Sequence, residues 1–198
     1  MNGTDRYPAN HTAGPLRLAI IIGSTREGRA GASIGRWFAS HAEPRAGFEV
    51  DVIDLLDVPL PDRIPEEPTP DQLAWLARVD RADAYVVVTP EYNHSFPAGL
   101  KHAIDFPYRE WAAKPVGFVS YGGVARGVRA TEQLRLVFAE LHAVTMRDAV
   151  SVSLTDGLDE AGWVRDPVAA GAAKTMLDQL EWWGAALRTA RAERPYAA

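Results

Sequence analysis

The chain contains no cysteine, and that one absence excludes disulfide bridges, thiolate metal ligands and thiol nucleophiles. It is compatible with a reducing cytoplasm, the compartment expected here. No stretch approaches the roughly 20 consecutive apolar residues that a membrane-crossing helix needs, so a soluble protein without a membrane partner is expected. Positive charge is also scarce: 21 Lys and Arg stand against 26 Asp and Glu, a formal net charge of -5. Such a balance suits a protein poorly to following a phosphate backbone, and nucleic acid is not an expected partner. Residues 1–15, MNGTDRYPANHTAGP, lack the apolar core of a signal peptide and read as a mobile tail.

What remains is rich in apolar residues, 47% of 198, which is enough for a single domain over 16–194 with a substantial core. Short runs rich in Val and Ile recur at 16–22, 48–55, 82–89, 115–121 and 144–154, and they read as strands. Segments with helical spacing lie between and after them, at 33–42, 70–80, 97–106, 127–142 and 167–191. Strand followed by helix, repeated along the chain, predicts a parallel sheet covered on both faces. The expected fold is a three-layer α/β sandwich with a five-stranded parallel sheet in the flavodoxin-like order 2-1-3-4-5. Ligands in such sheets bind beyond the carboxyl ends of the strands, near the switch point between strands one and three. The loops after Ile22, Thr89 and Ser120 therefore carry the functional information. The proline-rich stretch 57–72 and the turn-rich stretch 154–167 read as surface excursions.

The first of those loops, GSTREGRAGAS at 23–33, places glycine, hydroxyls and arginine between a buried strand and a helix, a combination that suits an anion. Gly23 and Gly28 have the spacing of a mononucleotide P-loop, but Arg29 and Ala30 stand where its lysine and hydroxyl belong. The dinucleotide fingerprint fails because Thr25 occupies its second glycine position. What is left is a cradle of side chains and backbone: the Ser24 and Thr25 hydroxyls, Arg26 as a bidentate partner, and Ser33 at the helix start. That set fits a terminal phosphate monoester such as FMN carries. A plain solvated turn with Ser33 as N-cap accounts for the same residues.

TPEYN at 89–93, followed by Pro97 and LKHAIDF at 100–106, is the most specific motif in the chain. With GSTR at 23–26 and SYGGVARG at 120–127, it resembles the NADPH-dependent FMN reductase family, over roughly residues 16–155. The family includes quinone, azo-dye and chromate reductases. The resemblance implies a flavodoxin-like fold, non-covalent FMN, and hydride passed from NADPH or NADH to the flavin and on to a small-molecule acceptor. It also implies a homodimer or homotetramer. By the same resemblance Ser24 and Arg26, with backbone near Ser33 and Ile34, hold the phosphate. Pro90, Glu91, Tyr92 and Asn93 line the isoalloxazine, and Ser120, Tyr121, Gly122 and Gly123 form its other edge.

The residue types make physical sense in those places. Pro90 stiffens the strand exit, Tyr92 offers a flat apolar face with a polar tip, and glycines at 122 and 123 let backbone approach a ring closely. No side chain is expected to be catalytic, since a flavin carries the chemistry itself. His94 remains a candidate acid toward a quinone oxygen, and His102 reads as a packing or interface residue. No metal-ligand spacing such as H-E-x-x-H occurs, so no metal is expected. Leu180, Trp183 and Leu187 have core-stripe spacing on the last helix. A flavodoxin-like electron carrier and an FMN-free regulatory domain are the competing readings.

Overall fold

The computed structural model describes residues 14–61, 63 and 65–197, so most of the N-terminal tail expected over 1–15 lies outside the described residues. Strands β1 (Leu16–Ile22), β2 (Phe48–Asp54), β3 (Ala84–Pro90), β4 (Pro115–Gly122), β5 (Val144–Thr145) and β6 (Val150–Ser153) form one parallel sheet. Its order is β2-β1-β3-β4-β5, with β6 also paired to β4. Helices α1 (Gly31–Ala42), α2 (Pro70–Asp80), α3 (Ala98–Asp105), α4 (Val128–Glu140) and α5 (Pro167–Glu193) alternate with the strands.

The single fifth strand expected over 144–154 is in fact two. Both β5 and β6 pair with β4, to Pro115–Val116 and to Val119–Gly122 respectively. Between them the chain leaves the ladder, and the Arg135 guanidinium takes over part of its bonding. It donates to the Met146 carbonyl at 2.5 Å and the Arg147 carbonyl at 2.9 Å. A part-buried carbonyl such as that of Met146 demands a partner, and a helix side chain supplies one here without any local trace in the strand pattern.

Every residue of β3 is buried, as a central strand covered on both faces requires. One apolar layer joins the sheet to α1 and α5 through Ile34, Trp37, Phe38, Met176 and Leu180. The other joins it to α2, α3 and α4 through Trp75, Leu100, Ile104, Leu134 and Phe138. On α5 the buried stripe runs through Ala169, Ala173, Met176, Leu177, Leu180 and Gly184. Trp183, expected in that stripe, is instead exposed, because Gly184 takes the inward position. A Cβ there would lie 2.7 Å from Leu16 Cδ1, so a larger residue would force the Leu16 side chain to move at this crossing of helix and sheet.

The register brings the functional ends together. Ile22 lies beside Val88, Thr89 beside Ser120 and Pro90 beside Tyr121, so the loops that leave β1, β3 and β4 open side by side at the switch point.

Candidate functional site

The first loop leaves β1 at Gly23, whose N–H donates to the Val88 carbonyl at 2.8 Å. Helix α1 begins at Gly31, two residues before Ser33, and has neither a side-chain cap nor an acidic residue in its first turn. The earliest N–H groups of a helix lack intrahelical acceptors, and the helix dipole adds partial positive charge there. Gly31 is required at this point. A Cβ would sit 2.2 Å from Ser24 Oγ and 2.6 Å from the Tyr121 hydroxyl.

Both of those hydroxyls are buried; they lie near enough to each other for the Ser24 hydroxyl to act on the Tyr121 phenol, but neither meets an acceptor or donor in hydrogen-bond geometry among the described residues. Leaving a buried hydroxyl unpaired costs about 1–3 kcal/mol, so two of them flanking one glycine mark a place where an outside acceptor belongs. Burial pushes the Tyr121 phenol up to about 12, against the pull of the Ser24 hydroxyl and the nearby arginines, which keeps it a neutral donor around pH 7. Thr25 and Arg26 are exposed at the rim and border a hollow of about 400 Å³ that reaches Ala32 and Leu56. Ser33 is half-buried on the first turn of α1. Ile34 is fully buried and its N–H donates to the Ala30 carbonyl, so its contribution to the site is packing.

The second loop is a tight turn. Tyr92 and Ser95 exchange both backbone hydrogen bonds, at 2.8 and 3.0 Å, and the residues between them, Asn93 and His94, have φ of 49° and 75°. Positive φ at both central positions is the geometry of a type I′ turn, which asparagine tolerates and histidine seldom adopts. Two residues of α4 hold this turn in place. Gln133 accepts from Ser95 Oγ at 2.5 Å and donates to the His94 carbonyl at 2.8 Å. One turn earlier, Arg129 donates to the Glu91 carboxylate from its guanidinium at 2.7 Å and from its N–H at 3.2 Å. Burial pushes the Glu91 carboxyl up, but the Arg129 contacts outweigh it and hold it below its ordinary value, so it is ionised and no proton donor. Pro90 is buried at the end of β3, and the Glu91 N–H closes onto the Tyr121 carbonyl at 3.0 Å.

The third loop turns sharply at Arg126 and Gly127, with φ of 50° and 84°. A Cβ on Gly127 would lie 2.6 Å from Ser120 Cβ, so only glycine allows the loop to fold back on its own strand. Ser120 Oγ donates to the Arg126 carbonyl at 3.0 Å and supports the loop from beneath. Gly122 and Gly123 line a hollow of about 220 Å³ together with Glu91, Arg126 and Arg129. The site residues named from sequence thus gather at one edge of the sheet, with a redistribution of parts. The Tyr121 side chain lies on the α1 side of β4 and joins the corner around Ser24, and Ser120 is committed to the loop backbone.

Other candidates fall outside. Glu91 pairs with Arg129 and Asp105 with Lys101, so the two carboxylates serve separate ion pairs. His102 packs its ring against Phe106 and contacts the Pro61 carbonyl. Among the described residues no group of three or more His, Asp or Glu is placed to hold a metal ion. Sequence reasoning missed Arg29, set aside for standing where a P-loop has lysine. It is nearly buried and bonded to the first loop itself. Gln133 was missed too, and nothing local to its helix distinguishes it.

The fold is a flavodoxin-like α/β sandwich whose candidate site lies at the topological switch point. The family model for NADPH-dependent FMN reductase matches residues 16–156, and the chain belongs to that family. An NAD(P)H-dependent FMN reductase of Schizosaccharomyces pombe is 34% identical over 128 residues, 59% of this chain and 62% of that protein. This chain thus spans less than two thirds of that relative's length. A quinone reductase of Escherichia coli (strain K12) is 36% identical over 140 residues, 66% of this chain and 73% of that protein. Among solved structures, FerB, a flavoenzyme NAD(P)H:(acceptor) oxidoreductase from Paracoccus denitrificans, superposes with a TM-score of 0.71 at 24% identity. The match covers 85% of this chain and 97% of FerB, and at that identity the likeness is one of fold.

Proposed function

We propose that this protein is an FMN-dependent NAD(P)H oxidoreductase that passes hydride from NADPH to FMN and then to a quinone or similar small acceptor. The observation that carries the reading is the pair of buried, unpartnered hydroxyls of Ser24 and Tyr121 at the uncapped start of α1. A phosphate monoester offers the several strong acceptors that this donor set lacks. The family match and the names of the relatives, FMN reductase and quinone reductase, agree with it. By the family resemblance the enzyme is a homodimer or homotetramer, and its lack of cysteine suits a reducing cytoplasm.

When bound, FMN supplies the hydride chemistry. This chain's residues bind and orient. Ser24 and Tyr121 donate at the phosphate corner, with Thr25 and Arg26 closing it from the rim. Glu91, just before the Tyr92–Ser95 turn, and the Gly122–Gly123 backbone line one hollow, where the ring would lie. Glu91, held ionised by Arg129, is no proton donor there.

If Arg26 pairs with the monoester, Arg26→Ala weakens FMN by about tenfold to hundredfold, the worth of one charged hydrogen bond. Riboflavin, which has no phosphate to lose, keeps its affinity. Quenching of flavin fluorescence by apoprotein measures both, and equal weakening of the two ligands removes Arg26 from the phosphate site.

A further inference from the structure

Arg29 lies in the phosphate loop yet does not point its charge outward. Its Nη1 donates to the Ser24 carbonyl at 2.7 Å and to Asp54 Oδ1 at 2.9 Å, and Nη2 donates to Asp54 Oδ2 at 2.6 Å. Only 12% of its side chain and 19% of that of Asp54 is exposed. Asp54 is itself fixed: it ends β2 and accepts the Leu56 N–H at 3.0 Å. The guanidinium therefore ties the backbone of Ser24 to the end of a neighbouring strand through a two-pronged, charge-assisted contact that only arginine makes. Dinucleotide-binding folds present a carboxylate at the corresponding strand end to a ribose, whereas here both carboxylate oxygens are taken by Arg29.

We infer that Arg29 and Asp54 are positioning residues that set the discrimination of the site for a phosphate-bearing flavin, a role that rests on the FMN reading above. Residues 24–30 between the β1 exit and α1 are mostly exposed and carry no regular structure of their own. Without a brace, ordering such a segment at the moment of binding costs conformational entropy. With it, Ser24 Oγ stands against Gly31 and Tyr121 before any ligand arrives. The brace acts through loop geometry, not through its own charge at the phosphate, and the two partners separate those ideas. Removing the Asp54 charge makes the corner more positive. A purely electrostatic role then gives tighter FMN, whereas a positioning role gives weaker FMN.

The experiment compares wild type, Arg29→Gln, Arg29→Lys and Asp54→Asn, measuring apoprotein affinity for FMN and for riboflavin and the Tm without flavin. Arg29→Gln is expected to lose about tenfold to hundredfold in FMN affinity with riboflavin changed less than about threefold, and Asp54→Asn to lose about threefold to tenfold for FMN. Arg29→Lys, which keeps the charge and loses the fork, falls between wild type and Arg29→Gln. An FMN-to-riboflavin ratio unchanged in Asp54→Asn and Arg29→Gln, whatever the Tm does, overturns the positioning role and leaves the FMN reading standing. Tighter FMN in Asp54→Asn also overturns it. Wild-type protein that binds neither flavin overturns the FMN reading and this inference together.

Discussion

Gly31→Ala is expected to abolish high-affinity FMN binding, with a loss of about 10² to 10⁴. The added methyl would occupy a point 2.2 Å from Ser24 Oγ and 2.6 Å from the Tyr121 hydroxyl. Ser24 can rotate only into a buried surround, and the Tyr121 hydroxyl ends a rigid ring held between sheet and α1, so both donors are displaced from the corner. Two charged hydrogen bonds at about 1.5–3 kcal/mol each give the stated range. The overpacking itself costs about 1–3 kcal/mol of stability, which an ordinary domain survives. Fluorescence titration with FMN, alongside thermal unfolding of the apoprotein, separates the two effects. A folded Gly31→Ala that binds FMN as wild type does would show that the two hydroxyls face no ligand.

Gly123→Val is expected to exclude the flavin ring while leaving the protein's stability within about 0.5 kcal/mol. A Cβ on Gly123 meets nothing within 4 Å, so the branched side chain fits the fold and projects into the crevice beside Glu91 and Gly122. Gly122 makes a poorer test. Its Cβ would lie 3.2 Å from the Gly127 nitrogen, and backbone cannot give way as a side chain tip can, so Gly122→Val mixes folding with binding. We expect purified Gly123→Val to carry under about a tenth of the FMN of wild type, an effect comparable to losing the whole contact. Stoichiometric FMN in this variant would make the glycine pair a plain turn.

The sheet order was legible because each βα unit announces itself locally: a Val- and Ile-rich run, a turn, then helical spacing. The site's location followed from that order, since loops after adjacent parallel strands must open at one edge. What the sequence hid depends on partners distant along the chain. The gap between β5 and β6 is bonded by Arg135 from α4, so the strand pattern carries no sign of it. The Arg29–Asp54 brace spans 25 positions, and the Gln133 clamp spans 38 to 39. No periodicity reports such contacts. The family resemblance puts Tyr121 at the ring edge with Gly122 and Gly123, whereas strand alternation sends its side chain toward Gly31 on the α1 face.

The most direct measurement is the absorption spectrum of freshly purified protein before and after anaerobic addition of NADPH. An FMN-dependent reductase shows the near-ultraviolet and blue bands of a bound oxidised flavin, loses the blue band rapidly with NADPH, and recovers it when a quinone is added. Colourless protein that takes up no added FMN would contradict the proposed function at its root. A blue band that NADPH leaves intact would make the protein an electron carrier and not a reductase.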